Sequence, residues 1–108
     1  GWHHVIPEMN HNELVGWTGG DKRFAPIFFN TGDLHPRNYT RFEISKTAIE
    51  KKCGKVFDVS AKGDSFIERS IYLINIVDWA SYYLCEMNGA DIIDIEIIDY
   101  LKGELAKF

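Results

Sequence analysis

The chain has 108 residues and a formal net charge of −4, from twelve basic and sixteen acidic side chains. Apolar residues make up 45%, with three Trp, five Tyr and seven Phe; this excludes a disordered chain and predicts one soluble, well-packed domain. The acidic balance, without any Lys/Arg block, argues against nucleic acid or an anionic membrane surface as partner.

The longest apolar run, residues 70–84, is interrupted by Asn75 and Asp78, so nothing is expected to span a bilayer. Cys53 and Cys85, with no secretory leader, predict a reducing cytoplasm and free core thiols. The opening Gly1-Trp2-His3-His4, with no Met, predicts a piece of a longer protein.

Residues 1–24 read as loop, punctuated by Pro7, Asn10, Asn12, Gly16, Gly19, Gly20 and Asp21, with one helical turn around Glu13–Trp17. Ala25–Asn30 is a short apolar run between turn residues, the pattern of a strand buried on both faces. Pro36 fits a first helical position, and Tyr39, Phe42, Ile49 and Cys53 form a ragged helical stripe to Lys52, ended by Gly54. Lys55–Ser60 is a second strand. Ser65-Phe-Ile-Glu68 has the capping-box pattern and opens a helix running to Asn88, with Gly89 as its left-handed cap. Ala90–Ile95 is expected to be extended, and a last helix over 96–106 carries Ile98, Leu101 and Leu105 on one face.

Alternating strands and helices imply an α/β domain with a parallel sheet flanked by helices in three layers, and two or three strands cannot complete such a sheet alone. The long helix is apolar around most of its circumference. It is therefore expected to bury one side on its own sheet and the side bearing Trp79, Tyr82 and Tyr83 against another domain or subunit. The competing reading places that helix at the centre of its own domain.

The densest polar constellation is Pro7-Glu8-Met9-Asn10-His11-Asn12-Glu13. A His between two Asn can be held in one tautomer and left free to move a proton near pH 7, although an exposed loop His has the same spacing. Metal binding by His3, His4, His11 and Glu13 lacks any HxH or HExxH spacing, so no metal is expected. Asp33, His35 and Arg37 follow a strand, where α/β folds place ligands; the plainer reading is a helix-entry loop with a capping His and a solvated Arg. Lys102 flanks the stripe of the last helix, where spacing alone favours a solvated lysine.

The stretch Ile6-Pro-Glu-Met-Asn-His-Asn-Glu-Leu-Val-Gly-Trp17 closely resembles the segment entering the C-terminal half of bacterial and archaeal bifunctional phosphoglucose/phosphomannose isomerases, of the sugar-isomerase (SIS) fold. The resemblance continues through His35-Pro36-Arg37, Phe42–Lys46, Gly63-Asp-Ser65 and Ile98-Asp-Tyr-Leu-Lys102, covering essentially the whole chain. It implies a flavodoxin-like C-terminal SIS domain over 1–108, paired with an N-terminal SIS domain of the same chain, in a cytoplasmic homodimer of glycolysis and gluconeogenesis.

The implied reaction is aldose–ketose isomerisation of hexose 6-phosphates through a cis-enediol, without cofactor. His11 matches the ring-opening His, which the family contributes across the dimer, and Lys102 matches a Lys lining the site. Asn10, Asn12, Glu13 and Arg37 are carried with them as substrate-binding. The family's carboxylate base lies in an Asn-Glu-Asn stretch upstream of the His motif, and its phosphate loops lie in the N-terminal domain; neither matches any residue here. A regulatory SIS domain that binds sugar phosphate without turnover, and a dimerisation module with no site, are the alternatives.

Overall fold

The computed structural model describes residues 3–108. Gly1 and Trp2, read above with the N-terminal loop, lie outside the described residues. The elements are α1 (Ile6–Met9), α2 (Glu13–Gly16), a single 3-10 turn (Trp17–Gly19), β1 (Ile27–Asn30), α3 (Pro36–Glu50), β2 (Phe57–Ser60), α4 (Phe66–Asn88) and α5 (Glu96–Leu105). The chain divides into two compact units, residues 1–73 and 74–108, and the division falls within α4.

In the first unit β1 and β2 pair in parallel, Ile27 opposite Phe57 through Asn30 opposite Ser60. Two neighbouring parallel strands require a crossover, and α3 supplies it. The architecture is therefore α/β, with a small parallel sheet and flanking helices. Its core is Met9, Phe28, Phe42, Ile49 and Cys53, with Ile6, Leu14, Trp17, Leu34 and Val56 packed around it. Phe28 of β1 meets Phe42 of α3 edge-on, with ring centroids 5.3 Å apart. That geometry sets the electropositive ring edge against a π face.

The strand expected to be buried on both faces is covered on only one. Phe28 is buried on the side where α3 packs, whereas its neighbours Ile27 and Phe29, which point to the opposite face, are 50% and 38% exposed. The N-terminal segment also differs from the expected loop. The helical turn at Glu13 is there, and Pro7 sits in the first turn of α1, one place after Ile6, where a backbone N–H would have no partner within the helix.

Helix α3 starts at Pro36 as expected but ends at Glu50, with Lys51 as its cap. Gly54 serves another purpose. Its N–H donates to the Phe24 carbonyl at 3.0 Å, and a Cβ there would collide with the Lys22 carbonyl oxygen. Segment 21–24 is laid along 52–54 by this contact, by Asp21 N–H to Lys52 O (2.8 Å) and by Lys22 Nζ to Cys53 O (2.8 Å). The expected capping box is formed: Glu68 Oε2 accepts from Ser65 N–H at 2.7 Å, and Glu68 N–H donates to Ser65 Oγ at 3.2 Å.

In the second unit α4 closes on Gly89, whose φ of 62° is the left-handed cap the sequence predicts. The segment 90–95 is not extended. Asp91 accepts from Ile93 N–H and Asp94 accepts from Glu96 N–H through their carboxylates, and these Asx turns displace the strand geometry. Helix α5 follows with Ile98, Leu101 and Leu105 exposed. Of α4 only Leu73 is buried, which counts against a helix central to its own domain. Trp79, Tyr82 and Tyr83 pack on one another, with centroids 5.6 to 6.0 Å apart; Tyr82 meets both neighbours edge-on, the Trp79–Tyr83 pair is tilted, and all three remain exposed. No helix among the described residues is long and apolar enough to cross a membrane.

Candidate functional site: the Asn10–Glu13 turn on helix α3

The His motif is held by its neighbours. Met9 enters the core beside Phe42 and Ile49, and this fixes where α1 ends. Asn10 follows in a helical conformation (φ −68°, ψ −8°), its N–H bonded to the Ile6 carbonyl. Its side chain reaches α3: Nδ2 donates to Ser45 Oγ at 2.6 Å, and Oδ1 accepts from Arg41 Nη1 at 3.3 Å. Asn10 is thus bound to protein on both ends of its amide.

His11 comes next, its N–H donating to Glu8 O at 3.0 Å while the residue stays exposed. Among the described residues its imidazole makes no hydrogen bond, so both ring nitrogens remain open to a ligand. Asn12 opens α2 without capping it, and its side chain is exposed. Glu13 lies lower, half-buried, with Oε2 2.9 Å from His4 Nδ1. Among the described residues no three His, Cys, Asp or Glu side chains gather as metal ligands.

A second polar group sits after β1. His35 Nδ1 accepts from Arg37 N–H at 3.3 Å, so His35 caps α3, and the Arg37 guanidinium is exposed. This is the capping arrangement named above as the plainer reading of that loop. Asp33 Oδ2 pairs with Arg69 Nη2 at 3.0 Å. The Thr31 hydroxyl and that guanidinium hold the Asp33 carboxyl below the usual carboxylate range. Asn30, Gly32, Leu34, Pro36 and Tyr39 line an open cavity of about 340 Å³ at the strand's C-terminal end.

Lys102 is exposed on α5, in the second unit, whereas His11, Asn10, Asn12, Glu13 and Arg37 all belong to the first.

Ser45 and Arg41 were not legible as site residues, although one signal was present. Ser45 falls on the Phe42–Ile49 stripe, and a hydroxyl on a buried stripe needs a partner.

The chain matches the family described as bacterial phospho-glucose isomerase C-terminal SIS domain over residues 1–105, and it belongs to that family. Three relatives are named bifunctional phosphoglucose/phosphomannose isomerase. That of Aquifex aeolicus is 33% identical over 106 residues, covering 95% of this chain and 33% of the relative. That of Caldicellulosiruptor bescii is 34% identical over 107 residues, covering 95% and 31%. That of Thermoplasma volcanium is 32% identical over 102 residues, covering 92% and 32%. The chain thus spans about a third of the length of the curated relatives it matches. No solved structure matches it significantly.

Proposed function

We propose that residues 1–108 are the C-terminal SIS domain of an enzyme interconverting glucose 6-phosphate or mannose 6-phosphate with fructose 6-phosphate in the cytoplasm. Its active site is composite. This domain supplies His11 and Lys102, an N-terminal SIS domain of the same chain supplies the carboxylate base and the phosphate-binding loops, and a second copy completes the dimer.

In this reading His11 moves a proton from the anomeric hydroxyl to the ring oxygen as the C1–O5 bond breaks, which suits an imidazole, whose two ring nitrogens can accept and donate a proton. The base then takes the C2 proton and returns it to C1 through a cis-enediol. Lys102 places an ammonium beside the developing enediolate oxygen and lowers its charge cost. Asn12, Glu13 and Arg37 contact sugar hydroxyls or phosphate, and no metal or organic cofactor takes part.

The observation that carries the proposal is the exposed imidazole of His11, unbonded among the described residues, on a turn whose preceding residue is fastened to α3. The test is an isomerase assay of the complete gene product with glucose 6-phosphate and mannose 6-phosphate. Formation of fructose 6-phosphate from both supports it. Binding of either sugar phosphate without turnover would make the domain regulatory instead. Residues 1–108 alone should show no turnover.

A further inference from the structure

We infer that Ser45, together with Arg41, is a positioning residue for His11, acting through the side chain of Asn10; the inference rests on the proton-transfer role proposed for His11. Ser45 is fully buried, at 0% exposure, on the stripe of α3 that carries Phe42 and Ile49. Arg41 stands one turn earlier on the same helix, four residues away, so the two present their polar atoms side by side.

Their chemistry fixes the Asn10 amide in one orientation. A guanidinium can only donate, so the group facing Arg41 must be Oδ1, and Nδ2 is left to face the Ser45 hydroxyl. An amide rotated by 180° would set N–H against N–H at Arg41. Burial raises the stakes, because a Ser45 hydroxyl deprived of Asn10 would lose a partner in a place water does not reach. One peptide unit separates this clamped residue from His11. The direction in which the imidazole leaves the turn is therefore set from α3, 35 residues further along the chain. Misplacing a reacting group by about 1 Å can cost on the order of 10²-fold in rate, so a clamp of this kind bears on kcat.

The experiment compares Ser45→Ala, His11→Ala and the double variant in the complete gene product, reading kcat and KM for glucose 6-phosphate. Ser45→Ala should lower kcat about tenfold or more and leave KM within about twofold. The double variant should match His11→Ala alone, since nothing remains to be positioned. Wild-type kcat in Ser45→Ala beside an impaired His11→Ala overturns the inference, and so does a double variant slower than His11→Ala by the full Ser45→Ala factor. If Ser45→Ala does not fold, Arg41→Met removes the other half of the clamp and is judged by the same comparison. Should His11→Ala retain wild-type kcat, the catalytic role falls. The clamp is then read from the Asn10 side-chain amide resonances: displacement in Ser45→Ala sustains it and unchanged shifts refute it.

Discussion

Lys46 Nζ lies 2.6 Å from Asp58 Oδ2 and 3.1 Å from Glu43 Oε1, so one ammonium ties α3 to β2. It also sits 5.3 Å from the centre of the Phe42 ring, against the core. The Asp58 carboxylate above all holds the Lys46 ammonium above its ordinary value of 10.5. A cation stabilised in this way contributes fully below pH 10.5, and the contribution is lost as pH rises through the raised value. Lys46→Met should cost about 1 kcal/mol or less, as partly exposed pairs do. The Tm gap between wild type and variant should hold from pH 7 to 10 and narrow above 10.5. A gap that widens with alkalinity would contradict the pairing.

The start of α4 has the opposite pH dependence. Hydrogen bonds from the Ser65 backbone and hydroxyl and from the Asp64 backbone hold the Glu68 carboxyl below its ordinary 4.5. Its contribution is therefore complete above pH 4.5 and fades as pH falls through the lowered value. Ser65→Ala should cost about 1 kcal/mol, the usual worth of an N-cap. Glu68→Gln should flatten the Tm profile below pH 4.5. A profile in that range that Glu68→Gln leaves unaltered would show that other carboxylates set it.

Gly54→Ala should destabilise the first unit by about 1–3 kcal/mol, the scale of overpacking. The added methyl meets the Lys22 carbonyl oxygen, and segment 21–24 must move to admit it. Urea unfolding gives the answer. A variant as stable as wild type would mean that the strap relaxes freely.

The exposed ring trio on α4 bears on the proposed assembly. With Trp79 and Tyr83 more than half exposed, Tyr83→Glu in the complete gene product should shift the mass measured by light scattering toward the monomer or render the protein insoluble. Unchanged mass and unchanged Tm for Glu at each of Trp79, Tyr82 and Tyr83 would remove this face from the interface.

What the sequence revealed of this fold was mostly punctuation and period. Pro36, Gly89 and the Ser65–Glu68 pair each mark a helix end by local chemistry that needs no distant partner, and the structure has all three. The misreadings arose where something non-local decided. Gly54 looks like a helix cap until the 21–24 strap is laid across it. Ile92 and Ile93 suggest a strand, but the carboxylates of Asp91 and Asp94 bend the backbone first. The expectation of a doubly buried β1 treated the sheet as covered, whereas Ile27 and Phe29 face outward in this chain. For the site, the Asn-His-Asn run was legible as a motif. The bond from Asn10 to Ser45 was not, because no periodicity links residues 35 apart.

The proton-transfer role proposed for His11 is read out by the kcat of His11→Ala in the complete gene product. The kcat should fall about 10²–10⁴-fold with KM changed far less, the usual effect of losing one positioned acid–base group. The deficit should shrink when substrate is supplied in its open-chain form, since ring opening is then bypassed. Lys102→Met should impair turnover under both conditions, because the enediolate charge remains. A folded His11→Ala enzyme with near-native kcat on the cyclic sugar would contradict the claim and leave His11 as a loop residue.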